Sequence, residues 1–176
     1  RLTDVTGVQT CALPILASQA ERPRGALVLF FGGGFVNGSP AQFDSKAQYL
    51  AGRGMLVATA EYRIRSLHNT SSRESVEDCR AAVGWLRRNA SQFNIDPARI
   101  GAGGGSAGGG CALATAFSPN RSERPDALVL YNPVTDMTPF GAPELSPLDH
   151  VSPGLPPMTI FFGTEDATYL PPARTF

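Results

Sequence analysis

Lysine occurs once in these 176 residues, at position 46, and basic and acidic side chains balance at 15 each. With no basic stripe there is nothing to track a phosphate backbone, so no nucleic-acid partner is expected. Histidine occurs twice, as His68 and His150, and cysteine three times, as Cys11, Cys79 and Cys111. The cysteines, odd in number and widely spaced, make neither a disulfide framework nor a metal-ligand spacing. Cys79 and Cys111 read as small buried hydrophobes. No apolar run approaches the roughly 20 residues that span a bilayer. Charged residues are only 17% of the chain, but hydrophobic residues reach 42%, too many for a disordered segment. Nothing in the sequence marks a cellular location or an oligomeric state.

Glycine (19) and proline (15) are plentiful, as a fold with many turns requires. Between the turns, buried strands alternate with helices. "GALVLFF" (25–31), "MLVATAEY" (55–62), "ALVLY" (127–131) and "MTIFFG" (158–163) are continuous apolar runs, and a further strand follows "NIDPARIGAGG". Helices are expected over 43–54, 71–93 and 107–117. The second is the clearest: Ser71 and Glu74 have capping-box spacing, and Val76, Cys79, Val83, Leu86 and Ala90 form one apolar stripe. Arg87 and Arg88 stand near its C-terminal end, where the dipole favours cations. The pattern predicts an α/β fold with a mainly parallel sheet and helices on both faces. The two ends do not match the middle. Residues 1–15, "RLTDVTGVQTCALPI", start without Met, and Val5–Ile15 resembles a translated sequencing adapter. The expectation is a non-native segment over 1–15. Over 16–176 it is a partial domain, incomplete at both ends, whose last stretch stops at the start of a helix.

The chemistry concentrates in "RIGAGGGSAGGGCALATA" (99–116), where seven glycines surround Ser106. A phosphate-cradling P-loop needs Gly-Lys-Ser/Thr, and Lys46 lies sixty residues upstream. A dinucleotide fingerprint is formally present in Gly103, Gly105 and Gly108, but the acidic residues near the required offset, Glu123 and Asp126, fall outside a clear strand end. The third template is G-x-S-x-G, Gly104 to Gly108. A serine nucleophile stands on a tight strand-to-helix turn, which crowds the residues two places either side and demands glycine there. A second part supports it. Acyl transfer needs fixed donors for an oxyanion, and "FFGGGFVNGS" (30–39) supplies unobstructed backbone N–H groups after an earlier strand. A third part is an acid beyond a later strand, in "FFGTEDATYLP" (161–171), where Asp166 and Glu165 compete.

These blocks, with "LAGRGMLVATAEYR" and "EDCRAAVGWLRRNASQFNIDPARIGAGGGSAGG", resemble the α/β-hydrolase esterases, in particular the acetyl-esterase, hormone-sensitive-lipase-like and carboxylesterase group. The resemblance runs from about residue 25 to the end. It implies a serine hydrolase acting on small carboxylic esters with no metal or organic cofactor. It also implies Ser106 as nucleophile, Asp166 as the acid, and the N–H groups of Gly33, Gly34 and Ala107 as the oxyanion hole.

The sequence departs from that family twice. Phe31 stands where His-Gly-Gly-Gly has its histidine, a change in loop support rather than in chemistry. The general base, a histidine after the acid, is absent from the ten residues that follow Asp166. His68 and His150 both precede Asp166 and read as surface or capping residues. The expectation is therefore a histidine lost with a truncated C-terminus, and negligible esterase activity in residues 1–176 alone. Rival readings are a peptidase of the prolyl-oligopeptidase type and a binding protein on an inactive hydrolase scaffold. The proline-rich loop 132–157 is a candidate lid element, with Asp136 in it as a turn residue.

Overall fold

A computed structural model describes residues 2–3, 9–10, 13–15 and 22–175. Strands β1 (Leu2–Thr3) and β2 (Gln9–Thr10) pair with each other alone. The main sheet contains β3 (Leu13–Ile15), β4 (Arg24–Phe30), β5 (Leu56–Ala60), β6 (Ile95–Gly105), β7 (Ala127–Tyr131) and β8 (Met158–Phe161), in the order β3-β5-β4-β6-β7-β8. Five strands run parallel, and β3 closes one edge antiparallel to β5. This edge strand lies in the segment set aside above, and Cys11 lies outside the described residues.

Alternation along β4 sends its side chains to two cores. Ala26, Val28 and Phe30 join a large cluster with α3 (Ser72–Arg88) and α4 (Ala107–Ala116). Leu27 and Leu29 join a smaller one with Phe43 and with Ala47 of α1 (Asp44–Ala51). The sheet is thus covered on both faces, as continuous apolar strands require. Single-turn helices α2 (Arg65–His68) and α5 (Leu170–Ala173) complete the set.

Helix α3 begins as its sequence predicts but ends at Arg88, so that Ala90 falls in a following 3₁₀ turn. Ser71 and Glu74 close a reciprocal capping box, and the hydrogen bond from the Ser71 side chain holds the Glu74 carboxyl below its usual range. Val76, Cys79 and Val83 are fully buried. The Cys79 thiol is pushed up, first by that burial and then by the neighbouring Cys111. Arg87 does more than complement the helix dipole. It donates to the carbonyls of Ser122 (3.1 Å), Arg124 (2.5 Å) and Pro97 and to Asp126 Oδ2, tying the end of α3 to the starts of β6 and β7. Arg63, after β5, forks onto Asp78 of α3 at 2.7–3.0 Å, an ion pair whose carboxylate is almost wholly buried.

Within the segment 132–157, the candidate lid element, three apolar residues are anchored in the core and residues 151–154 are exposed. Val134, Met137 and Ala142 are buried against α3 and α4, and Ser72 Oγ donates to the Phe140 carbonyl (2.9 Å). Asp136 is a turn residue, accepting from the Thr138 amide (2.8 Å). Apolar side chains at 134, 137 and 142 drive this burial, because each removes hydrocarbon surface from water. No helix among the described residues is long and apolar enough to cross a membrane.

Candidate active site

Strand β6 delivers the chain to Ser106, which takes φ 53° and ψ −122° before α4 begins at Ala107. A side-chain-bearing residue reaches such a backbone only when its surroundings impose it, at a cost of about 1–3 kcal/mol. The surroundings are visible. The Ser106 amide donates to the Tyr131 carbonyl at the end of β7 (3.0 Å), and its carbonyl accepts from Gly110 (3.0 Å) and Val134 (3.1 Å). The backbone is held on both sides, and the side chain is half-buried.

The glycines around it are required by space. A Cβ on Gly104 would lie 2.6 Å from the Gly108 carbonyl oxygen, and a Cβ on Gly108 would overlap the carbonyl oxygens of Phe30 and Phe31. The loop after β4 crosses directly over this turn: a Cβ on Gly32 would sit 3.1 Å from Ser106 Cβ. Gly33 (φ 143°) and Gly34 (φ 64°) then turn the chain, and the Gly33 carbonyl accepts from Val36 and Asn37. The amides of Gly33, Gly34 and Ala107 have no acceptor among the described residues. The structure therefore brings Ser106, Ala107 and Gly32, the residue that leads into Gly33 and Gly34, together at the carboxyl ends of β4 and β6.

Two supports of this loop differ from expectation or escape it. Phe31, in the histidine's place, is buried and stacks on Tyr62 at 4.2 Å and 12°, while Tyr62 Oη donates to the Phe31 carbonyl (2.6 Å). Burial pushes the Tyr62 hydroxyl far above its usual pKa, so it remains a donor. Gln42, unnoticed in the sequence, accepts the Gly32 amide on Oε1 at 2.6 Å. Gln42→Ala would leave that buried N–H unpaired. The expected cost is about 1–3 kcal/mol of stability, read as a lower urea midpoint at unchanged slope.

Asp166 lies past β8, two strands along from β6. Its Oδ1 accepts the Thr168 (3.0 Å) and Tyr169 (2.8 Å) amides, and its Oδ2 accepts Asn132 Nδ2 (2.6 Å). The Tyr169 amide above all holds its carboxyl below the usual range; desolvation opposes it, and the Thr168 amide and the Asn132 side chain add to the lowering. Glu165 is exposed and shares none of these bonds. Asp166 and Ser106 do not bond to each other.

Neither described histidine bonds to either residue. His68 accepts the Ile64 amide on Nδ1 (3.1 Å). His150 stacks on Phe117 at 4.0 Å, with Nε2 2.8 Å from the Glu144 carbonyl. Among the described residues no group of three His, Cys, Asp or Glu side chains could hold a metal ion.

Known proteins resemble this chain along most of its length. Carboxylesterase NlhH of Mycobacterium tuberculosis is 27% identical over 174 aligned positions, covering 84% of this chain and 53% of that protein. The chain thus spans about half the length of that curated relative. The butyrate-bound structure of a thermophilic esterase, Est2, from Thermogutta terrifontis superposes with a TM-score of 0.88 at 33% identity, covering 97% of this chain and 73% of that one. The same esterase phosphorylated by paraoxon gives a TM-score of 0.89 at 36% identity, covering 97% of this chain and 72% of that one. The parallel sheet flanked by helices is the α/β-hydrolase fold of these structures. Residues 15–140, well over half the chain, match the family described as BD-FAE, and the chain belongs to that family, among the α/β-hydrolase fold esterases of the hormone-sensitive-lipase-like group.

Proposed function

We propose that the whole protein hydrolyses small carboxylic esters, with Ser106 as nucleophile. The observation that carries this reading is the strained backbone of Ser106, held between a helix N-terminus and a loop of unpaired glycine amides. Ser106 Oγ attacks the ester carbonyl carbon while a histidine takes its proton. The carbonyl oxygen becomes an oxyanion, received by the N–H groups of Gly33, Gly34 and Ala107 and favoured by the positive end of α4. The C–O bond to the alcohol breaks, and the histidine returns the proton to the leaving oxygen. Water then repeats the sequence on the acyl-serine, and the carboxylic acid departs. Asp166 stays ionised and orients the histidine. That histidine is neither His68 nor His150, whose rings are held elsewhere.

The relatives support an ester as substrate: NlhH is a carboxylesterase, and the Thermogutta esterase binds butyrate and is phosphorylated by paraoxon. A short acyl chain is the corresponding choice here. The test is covalent labelling of the full-length protein with paraoxon. One diethylphosphoryl group per chain is expected on the peptide that contains Ser106, found by mass spectrometry and lost in Ser106→Ala. Labelling confined to another residue would defeat the assignment.

A further inference from the structure

Asn132 follows the last residue of β7 and adopts φ 44°. Each of its polar groups except the carbonyl meets the end of β8 or the segment after it. Its amide donates to the Phe161 carbonyl (2.7 Å), its Oδ1 accepts the Gly163 amide (3.2 Å), and its Nδ2 donates to Asp166 Oδ2 (2.6 Å). One side chain thus clamps the turn that carries the acid.

The carboxylate's own bonding gives the clamp a direction. A carboxylate offers about four lone-pair sites. Thr168 and Tyr169 fill the two on Oδ1, and Asn132 fills one on Oδ2. A single site on Oδ2 is left. The residue type at 132 is constrained twice over. A left-handed φ is tolerated by glycine, asparagine and aspartate. Glycine would offer Oδ2 no donor, and aspartate would set a second carboxylate against the first. Only asparagine supplies both a donor for Asp166 and an acceptor for Gly163.

We propose that Asn132 is a positioning residue, fixing the rotation of the Asp166 carboxylate so that the remaining Oδ2 lone pair faces the catalytic histidine. This rests on the proposed function, and it adds a fourth contributor, on the strand between those of the nucleophile and the acid.

Three variants of the full-length protein test it with p-nitrophenyl butyrate. Asn132→Gly keeps the backbone preference and is expected to lower kcat about tenfold. Asn132→Asp keeps the shape and is expected to lower it about a hundredfold, the scale on which a misplaced catalytic group slows a reaction. In both, KM stays within about twofold of wild type and the thermal midpoint confirms a folded protein. A purely structural role would move the thermal midpoint, or kcat and KM together, and would not rank Asp below Gly. Ser106→Ala runs alongside. If it retains turnover, the proposed function itself fails. If it is inactive while both Asn132 variants match wild-type kcat, only the positioning role is overturned. A spectroscopic measurement covers the case in which a variant does not fold: Asp166→Ala should shift the Asn132 side-chain amide resonances. Unmoved resonances would overturn the contact whatever the kinetics show.

Discussion

Ser106→Ala in the full-length protein is expected to reduce kcat for a p-nitrophenyl ester by about 10⁴-fold or more, the scale of losing the nucleophile from a serine-histidine pair. Substrate binding should change little, because the Gly32–Gly34 loop and the sheet are untouched. Stability should also change little, since alanine keeps the Cβ that makes φ 53° and ψ −122° unfavourable. Ser106→Gly separates the two effects. Glycine adopts positive φ freely, so this variant should be equally inactive yet more stable than wild type by about 1 kcal/mol, in line with strain stored at functional positions. Urea unfolding of both variants beside wild type reads this directly. A Ser106→Gly protein no more stable than Ser106→Ala would mean that the turn is relaxed and that its geometry is no mark of a nucleophile.

How much of this was legible before any coordinates depended on the range of the interaction. The strand at 127–131 and the capped start of α3 follow from periodicity and local hydrogen bonding, and they sit where the sequence puts them. Helix α3 stops at Arg88 rather than running to 93. Asn89 turns its side chain back onto the Trp85 carbonyl (2.8 Å), and a separate 3₁₀ turn follows. Strand β8 ends at Phe161, two residues early, because the Gly163 amide is taken by Asn132 instead of the ladder. The serine turn was readable because its glycine spacing is a steric demand made within five residues. Gln42 and Asn132 were not, since each acts on a partner 10 to 34 positions away and only the packed fold shows the pairing. The compact turns between 138 and 150 were equally hidden. Their apolar residues follow neither a helical nor a strand period, and it is burial against α3 and α4 that orders them.

The glycines of 101–110 look interchangeable on paper, and the structure makes them unequal. Gly108→Ala is expected to be the most damaging alanine substitution among them. The added methyl would overlap the carbonyl oxygens of Phe30 and Phe31, where β4 gives way to the Gly32–Gly34 loop, and none of those atoms belongs to a side chain that could swing aside. Relief requires moving either α4 or the end of β4, so a loss above about 4 kcal/mol is expected, the range reserved for gross steric or core disruption. In a marginally stable domain that abolishes folding. Gly105→Ala, three residues earlier and adjacent to Ser106, is the control. Its Cβ would meet Phe43 at 3.6 Å and the Tyr131 carbonyl at 3.7 Å, ordinary contact distances, and its φ is not left-handed. That variant should fold, within about 1 kcal/mol of wild type. Soluble yield and urea unfolding monitored by circular dichroism distinguish the two. Equal tolerance at both positions would mean that the loop does not press on the serine turn. The Gly33 and Gly34 amides would then lie too far from Ser106 to receive an oxyanion.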